Sequence, residues 1–236
     1  MDIDKPKSWR GFLIEIGTII VGILIALAVN QVVDDLRERR ITDEARAAVR
    51  TEIAENLEVM QWREAEQGCI ERRLEELSLV LRAAHEGRPF ETPHWIGRPT
   101  SNPTFSSRWS TAAQSGRASL FGNDEQSLYA GFYYPTGMHA AVGDSEQVTW
   151  ATLRAIEGAR TMSPAMIWGL EAALSQARYE NFRLKLTGRR AFEAAEKLHI
   201  RPRQMTPDRA KASVCLPIGT GRQTAVRTLD DPFGAP

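Results

Sequence analysis

An all-α fold is predicted: an N-terminal transmembrane helix continues into an amphipathic stalk and an antiparallel helical bundle, followed by an irregular, Pro-rich C-terminal tail. Three observations carry this expectation. Residues 12–29 hold fourteen Ala, Val, Ile, Leu or Phe side chains in eighteen positions. Neither Gly nor Pro occurs from Ile23 to Gln67, and apolar residues there recur at intervals of three and four, the period of an amphipathic helix. No strand-type alternation of any length appears elsewhere.

The composition narrows the function classes. Thirty basic and thirty acidic side chains cancel to a formal net charge of zero, without the basic excess of a nucleic-acid binder. Two cysteines, 17 glycines and 12 prolines in 236 residues exclude disulfide-dense and collagen-like classes. The mean hydropathy of -0.34 is that of a water-soluble chain, but it averages over one strongly apolar stretch.

Residues 11–33 are the expected transmembrane helix. At about 1.5 Å per residue they span about 34 Å, enough for a hydrocarbon core of about 30 Å. Two other readings fit parts of this pattern. Lys5, Lys7 and Arg10 with Ala26-Leu27-Ala28 resemble a cleaved signal peptide, although Glu15 interrupts the apolar run and the run is long for that purpose. A buried soluble helix would need core on every side.

One face of the span differs from the rest. At 100° per residue, Gly11, Glu15, Thr18, Gly22, Ala26 and Asn30 share a stripe, while Ile16, Ile20, Leu24 and Leu27 face the other way. Small residues let membrane helices approach closely, and an intramembrane carboxylate usually faces a partner. Snorkelling of Glu15 to the nearby interface is the alternative. Basic residues flank both ends, with Arg37, Arg39 and Arg40 on the far side, so the positive-inside count is balanced. The simpler insertion route keeps residues 1–10 as a short cytoplasmic tail and places residues 34–236 in the periplasm of a bacterial inner membrane.

Residues 34–200 are expected to form the stalk and bundle. The stalk carries Val33, Leu36, Ile41, Ala45, Val49, Ile53, Leu57 and Met60, with Thr42-Asp43 as a candidate hinge. After Gly68 a second helix has its seam at Ile70, Leu74, Leu77, Leu81 and Ala84, stopped by Gly87 and Pro89. Its charges, Glu71-Arg72-Arg73 and Glu75-Glu76, read as a solvated face.

Four prolines make residues 88–106 a loop, with Trp95 packing back on the bundle. Short helices follow at 107–115, with Trp109, Ala112 and Ala113 inward, and at 124–134, with Leu128 and Phe132 inward; Pro135 and Gly137 end the second. A longer helix is expected over 138–158. Ser163-Pro164 then opens a helix that reaches about His199, with Gly188 as a candidate kink. Residues 201–236 contain five prolines and form the irregular tail, with at most a short extended piece at 214–218.

Little chemistry is encoded locally. His85, His94, His139 and His199 show no metal-ligand spacing, and no phosphate loop, nucleophile elbow or dinucleotide fingerprint occurs. No catalytic, metal or cofactor-binding residue is therefore assigned, and no cofactor is expected. Cys69 and Cys215 either pair as a disulfide, which an oxidising compartment allows, or stand as two buried thiols. Arg108, Trp109, Arg117, Tyr129 and Tyr133, with Tyr134 nearby, could line a pocket for a small anion or aromatic ligand. Core packing with surface arginines explains the same composition.

The apolar stretch FLIEIGTIIVGILIAL at 12–27, followed by Asn30-Gln31 and a charged helix, carries a resemblance. With Trp109, Ser115-Gly116-Arg117 and Glu146-Gln147, it resembles a loosely defined family of short bacterial, sphingomonad-type single-span membrane-anchored proteins of unknown function. The likeness covers about the first two thirds of the chain. It implies an inner-membrane location and supplies no catalytic residue. The expected role is a non-enzymatic scaffold or accessory subunit. Its partners would be the lipid bilayer and either further copies of itself or a larger membrane protein complex, with no nucleic acid. A periplasmic ligand-binding or sensory module with a separate signalling partner is the alternative.

Overall fold

The computed structural model describes residues 9–202 and 212–218. Residues 1–8 of the expected cytoplasmic tail, and 203–211 and 219–236 of the expected C-terminal tail, lie outside the described residues. Among the described residues there are four α-helices and no strand: α1 (Trp9–His85), α2 (Ser107–Gln114), α3 (Asn123–Leu153) and α4 (Pro164–Lys197).

The apolar span, the stalk and the expected second helix are one element. Helix α1 has 77 residues, about 115 Å at about 1.5 Å each. The expected hinge is absent because the Thr42 hydroxyl donates to the Glu38 carbonyl at 2.8 Å, bonding back into the helix instead of capping a new one. Gly68 does not break it either. A helical glycine costs about 1 kcal/mol relative to Ala, which is small beside the burial of Met60 and Ile70 on either side.

Contacts between the helices define their directions. Arg46 meets Glu125, Glu52 meets Tyr133 and Arg63 meets Glu146, so α3 runs parallel to α1. Arg50 reaches the Leu198 carbonyl, Arg63 reaches Asn181 and Glu75 meets Arg178, so α4 runs antiparallel to both.

Helix α3 joins two segments that the sequence separates. Pro135 lacks an N–H and crowds the carbonyl four residues earlier, which belongs to Gly131. That residue has no side chain and is exposed, so water can solvate its carbonyl. The Thr136 hydroxyl also donates to the Phe132 carbonyl at 2.8 Å. The helix then tightens into a 3₁₀ turn at Arg154–Ile156, before the expected end at 158. Helix α4 begins as expected: Ser163 caps it by accepting from the Met166 N–H at 3.3 Å, and Pro164 occupies the first turn. It continues through Gly188.

The core has two apolar parts. Ala45, Val49, Ile53, Leu57 and Met60 pack with Phe121, Tyr129, Phe132, Ala191 and Leu198. Ile70, Leu74, Leu77 and Leu81 pack with Ile96, Trp150, Leu153, Leu170 and Leu174. Trp95 is buried, as its expected return to the helices requires.

The irregular segments are held by buried polar side chains of α1. Glu52 accepts from the Ser107 hydroxyl, the Arg108 and Trp109 N–H groups and the Tyr133 hydroxyl, which places a carboxylate at the N-terminus of α2. Asn56 bonds both the N–H and the carbonyl of Phe105, at 2.7 and 2.6 Å. Glu66 accepts from both the N–H and the hydroxyl of Thr100. Arg73, expected on a solvated face, is only 1% exposed and donates to the Leu216 carbonyl.

Residues 212–218 form a strap across α1 and the loop. It contains a 3₁₀ turn at Ser213–Cys215 in place of the expected extended piece, and Val214 is fully buried. Ser213 bonds Arg98 on both sides, donating to its carbonyl at 2.8 Å and accepting from its N–H at 3.1 Å. Gly97 makes this approach possible: its φ is +68°, and an added Cβ would lie 2.5 Å from the Ser213 carbonyl oxygen.

Cys69 and Cys215 form a disulfide across a separation of 146 residues. Closing so long a loop restricts the unfolded chain. Cys69→Ala is expected to lower the free energy of unfolding by about 2–5 kcal/mol in denaturant titration; unchanged stability would show that the strap is held without the bridge.

Candidate functional site

Two places stand out from the sequence, the structure treats them differently, and it adds a third. The first is the stripe on α1. Gly11, Glu15, Thr18, Gly22, Ala26 and Asn30 belong to a part of the helix that no other described element covers, and the large apolar side chains from Phe12 to Leu36 are exposed. The Thr18 hydroxyl donates to the Ile14 carbonyl at 2.8 Å, so it turns back into its own helix. At Gly22 an added Cβ would meet nothing within 4 Å. The stripe is therefore open to whatever surrounds the helix.

The second place, the five-residue pocket, is not assembled as one cavity. The Trp109 ring stacks on Tyr133 with centroids 5.7 Å apart and planes 7° from parallel, and it contacts Tyr129 at 5.6 Å. These aromatics fill the first core. Their hydroxyls are taken: Tyr133 donates to Glu52 at 2.7 Å and Tyr129 to Glu125 at 2.9 Å. Burial and the Glu125 carboxylate raise the Tyr129 pKa to about 12. Arg108 pairs with Glu55 at 3.3 Å and, with Arg117, lines a surface depression over Ala45 and Ala48. Tyr134 is exposed.

At the end of the packed region nearest the apolar part of α1, Arg46 joins Glu125 at 2.7 Å and lies over the Phe121 ring. Burial alone would raise the Glu125 pKa, but hydrogen bonds from Arg46 and Tyr129 outweigh it and the net shift is downward.

The third place was not anticipated. Between the two apolar cores, α1, α3 and α4 contribute a buried polar layer: Arg63, Glu66, Thr136, His139, Glu146, Thr149, Glu180, Asn181 and Thr187. Arg63 Nη2 donates to Glu146 at 2.7 Å and to Asn181 at 2.8 Å. Glu180 accepts from Ser145, Thr149 and Gln176. His139 Nδ1 lies 3.0 Å from the Thr187 hydroxyl. Removing one member of a buried ion pair typically costs about 3–5 kcal/mol, because the other charge is left unmatched. Burial raises the Glu146 pKa despite Arg63, and Glu180 and Glu66 add to the rise. Burial and the Arg63 charge push His139 down to about 4.

A cleft of about 220 Å³ opens onto this layer. It lies between α1, the segment 100–104, α3 and α4, and its lining includes Trp62, Arg63, Asn102, His139, Asp144 and Gln147. A larger depression of about 320 Å³ lies between the C-terminal end of α1 and α4, but its Arg178 pairs with Glu75 at 3.2 Å and its His85 ring lies 3.2 Å from Glu171. Of these two, the smaller cleft is the one that reaches a buried guanidinium, that of Arg63. The signal in the sequence was a gap in the α1 stripe: between Met60 and Ile70 the three-four spacing falls on Arg63 and Glu66 instead of apolar residues.

Compared with family models, curated proteins and solved structures, the chain matches none.

The His139 environment sets a pH dependence. In the unfolded chain His139 takes up a proton near pH 6.5, whereas in the folded protein it does so only near 4. The folded state therefore loses stability as pH falls through that window, by about 2–3 kcal/mol. Denaturant titrations at pH 7 and pH 4.5 are expected to show a smaller loss for His139→Gln than for the wild type; equal losses would place the acid sensitivity elsewhere.

Proposed function

We propose that this chain is a single-pass bacterial inner-membrane protein, non-enzymatic, that acts as a scaffold or accessory subunit. Helix-helix association in the bilayer brings it to its partner, and a periplasmic helical region projects beyond the membrane. One observation carries the reading: an 18-residue window of α1 reaches a mean hydropathy of 2.7 with none of it buried, in the same helix that supplies the packed core farther on. Left in water, such a surface would be a large uncovered apolar area; in acyl chains it needs no protein cover.

The distances along α1 suit a bilayer. The apolar run ends at Val33, and burial against other elements begins at Thr42 and Ala45. Twelve residues of helix from Val33 to Ala45 correspond to about 18 Å, which clears the headgroup layer before packing starts. The disulfide suits an oxidising compartment and so supports a periplasmic location for residues 34–236. With no Gly or Pro in α1 between Gly22 and Gly68, turning or fixing the span turns or fixes the packed region with it. A partner bound to the stripe in the membrane would thereby set the orientation of the periplasmic helices.

Cysteines introduced one at a time at Thr18, Gly22 and Ala26, and on the opposite face at Ile20, Leu24 and Leu27, test this in native membranes. Oxidative crosslinking is expected to yield adducts from the first set and few from the second. Uniform or absent crosslinking would remove the association face from the proposal.

A further inference from the structure

The cleft at the polar layer supports an inference beyond membrane association: a ligand site. Arg63 is 8% exposed, and only its Nη2 is used, by Glu146 and Asn181. Its Nε and Nη1 are buried and have no hydrogen-bond partner among the described residues. An arginine carries five N–H donors, so three are unanswered here, and each buried unsatisfied donor is costly. On the α3 wall the Gln147 Oε1 is a buried acceptor, also without a partner, and Asp144 is exposed and forms no ion pair among the described residues. Unused donors thus lie buried beneath the α1 wall of the cleft and an unused acceptor beneath the α3 wall, with exposed Asp144 beside it and Trp62 adding an aromatic surface.

Charge decides the ligand class. Glu146 already neutralises Arg63, and Glu66, Glu180 and Asp144 add further carboxylates around the layer, so a simple anion would meet an excess of negative charge. A simple cation would leave the Arg63 donors unmatched. A molecule with both charges satisfies both walls. The volume of about 220 Å³ equals roughly seven waters at about 30 Å³ each and lies below the range of drug-sized pockets.

We propose that this cleft binds a small zwitterion of the α-amino-acid class. The carboxylate accepts from Arg63 Nε and Nη1, beneath segment 100–104, and the ammonium is held by Asp144 and Gln147 Oε1. The site belongs to the extramembrane region and does not depend on the association face of the span.

The test uses the full chain in mild detergent, titrated by calorimetry with individual L-amino acids up to about 10 mM, each beside the matching carboxylate without the amine and the matching amine without the carboxylate. At least one amino acid is expected to bind, with the two half-molecules binding at least about tenfold more weakly. Asp144→Asn, at an exposed position that the fold does not use, is expected to weaken that amino acid by about tenfold while leaving the melting temperature of the free protein unchanged. Gln147→Ala is expected to weaken it in the same direction. Absence of binding by every amino acid, equal binding by a half-molecule, or full affinity in Asp144→Asn would each overturn the proposal.

Discussion

A single unbroken helix carries both an uncovered apolar surface and the seam of the packed core, and the rest of the architecture depends on how α1 joins the two. Along its first part the backbone hydrogen bonds are closed within the helix and the side chains are apolar on nearly all sides, the condition that acyl chains impose. Along its second part the same backbone carries an apolar stripe from Ala45 to Leu81, which α3 and α4 cover. Continuity between the parts has a structural cause. Of the candidate caps at the transition, the Thr42 hydroxyl bonds the preceding turn and the Asp43 carboxylate accepts from Arg46, and the next glycine along the chain, Gly68, lies well inside the packed region. The two parts therefore share one axis and one rotational phase.

The packed region is unusual in dividing its core by charge. Arg63, Glu66, Glu146 and Glu180 are each almost fully buried, and such groups stabilise less than apolar residues of similar volume would. What they contribute is register. A slide of α3 along α1 would separate Arg63 from Glu146 and leave two unmatched buried charges, and a slide of α4 would break the buried hydrogen bond from Arg63 to Asn181. The same logic extends to the irregular segments. Glu52, Asn56, Glu66 and Arg73 hold main-chain groups at 108–109, 105, 100 and 216, so α1 acts as a spine on which these segments have fixed docking points. The disulfide adds a covalent docking point for the strap.

How much of this was legible in the sequence follows from the range of the forces involved. The α1 stripe was readable residue by residue, because three-four spacing is local and Ala45, Val49, Ile53, Leu57, Met60, Ile70, Leu74, Leu77 and Leu81 are all buried as the periodicity requires. Ser163-Pro164 was readable for the same reason. Helix ends were misread where a local breaker was outweighed by packing: Gly68 in α1 and Pro135 in α3, the latter eased by Gly131 one turn earlier. The polar layer was hidden because its meaning is non-local. Arg63 and Glu146 are 83 residues apart, and neither identifies the other. Arg73 looked like one more surface charge until the strap containing Leu216 was placed over it. The aromatic residues Trp109, Tyr129 and Tyr133 suggested a pocket by composition, and their stacking shows that they fill the core instead.

The central claim is that the first part of α1 lies in lipid and emerges from it as one continuous helix. Spin labels placed singly at successive positions from Phe12 to Glu44, in the full chain reconstituted into liposomes, measure this through their accessibility to oxygen and to a water-soluble relaxation agent. The account requires oxygen accessibility to peak near Gly22 and to give way smoothly to aqueous accessibility by Leu36. Aqueous accessibility within the apolar run, or a three-four pattern of shielding there that matched a protein core, would contradict it.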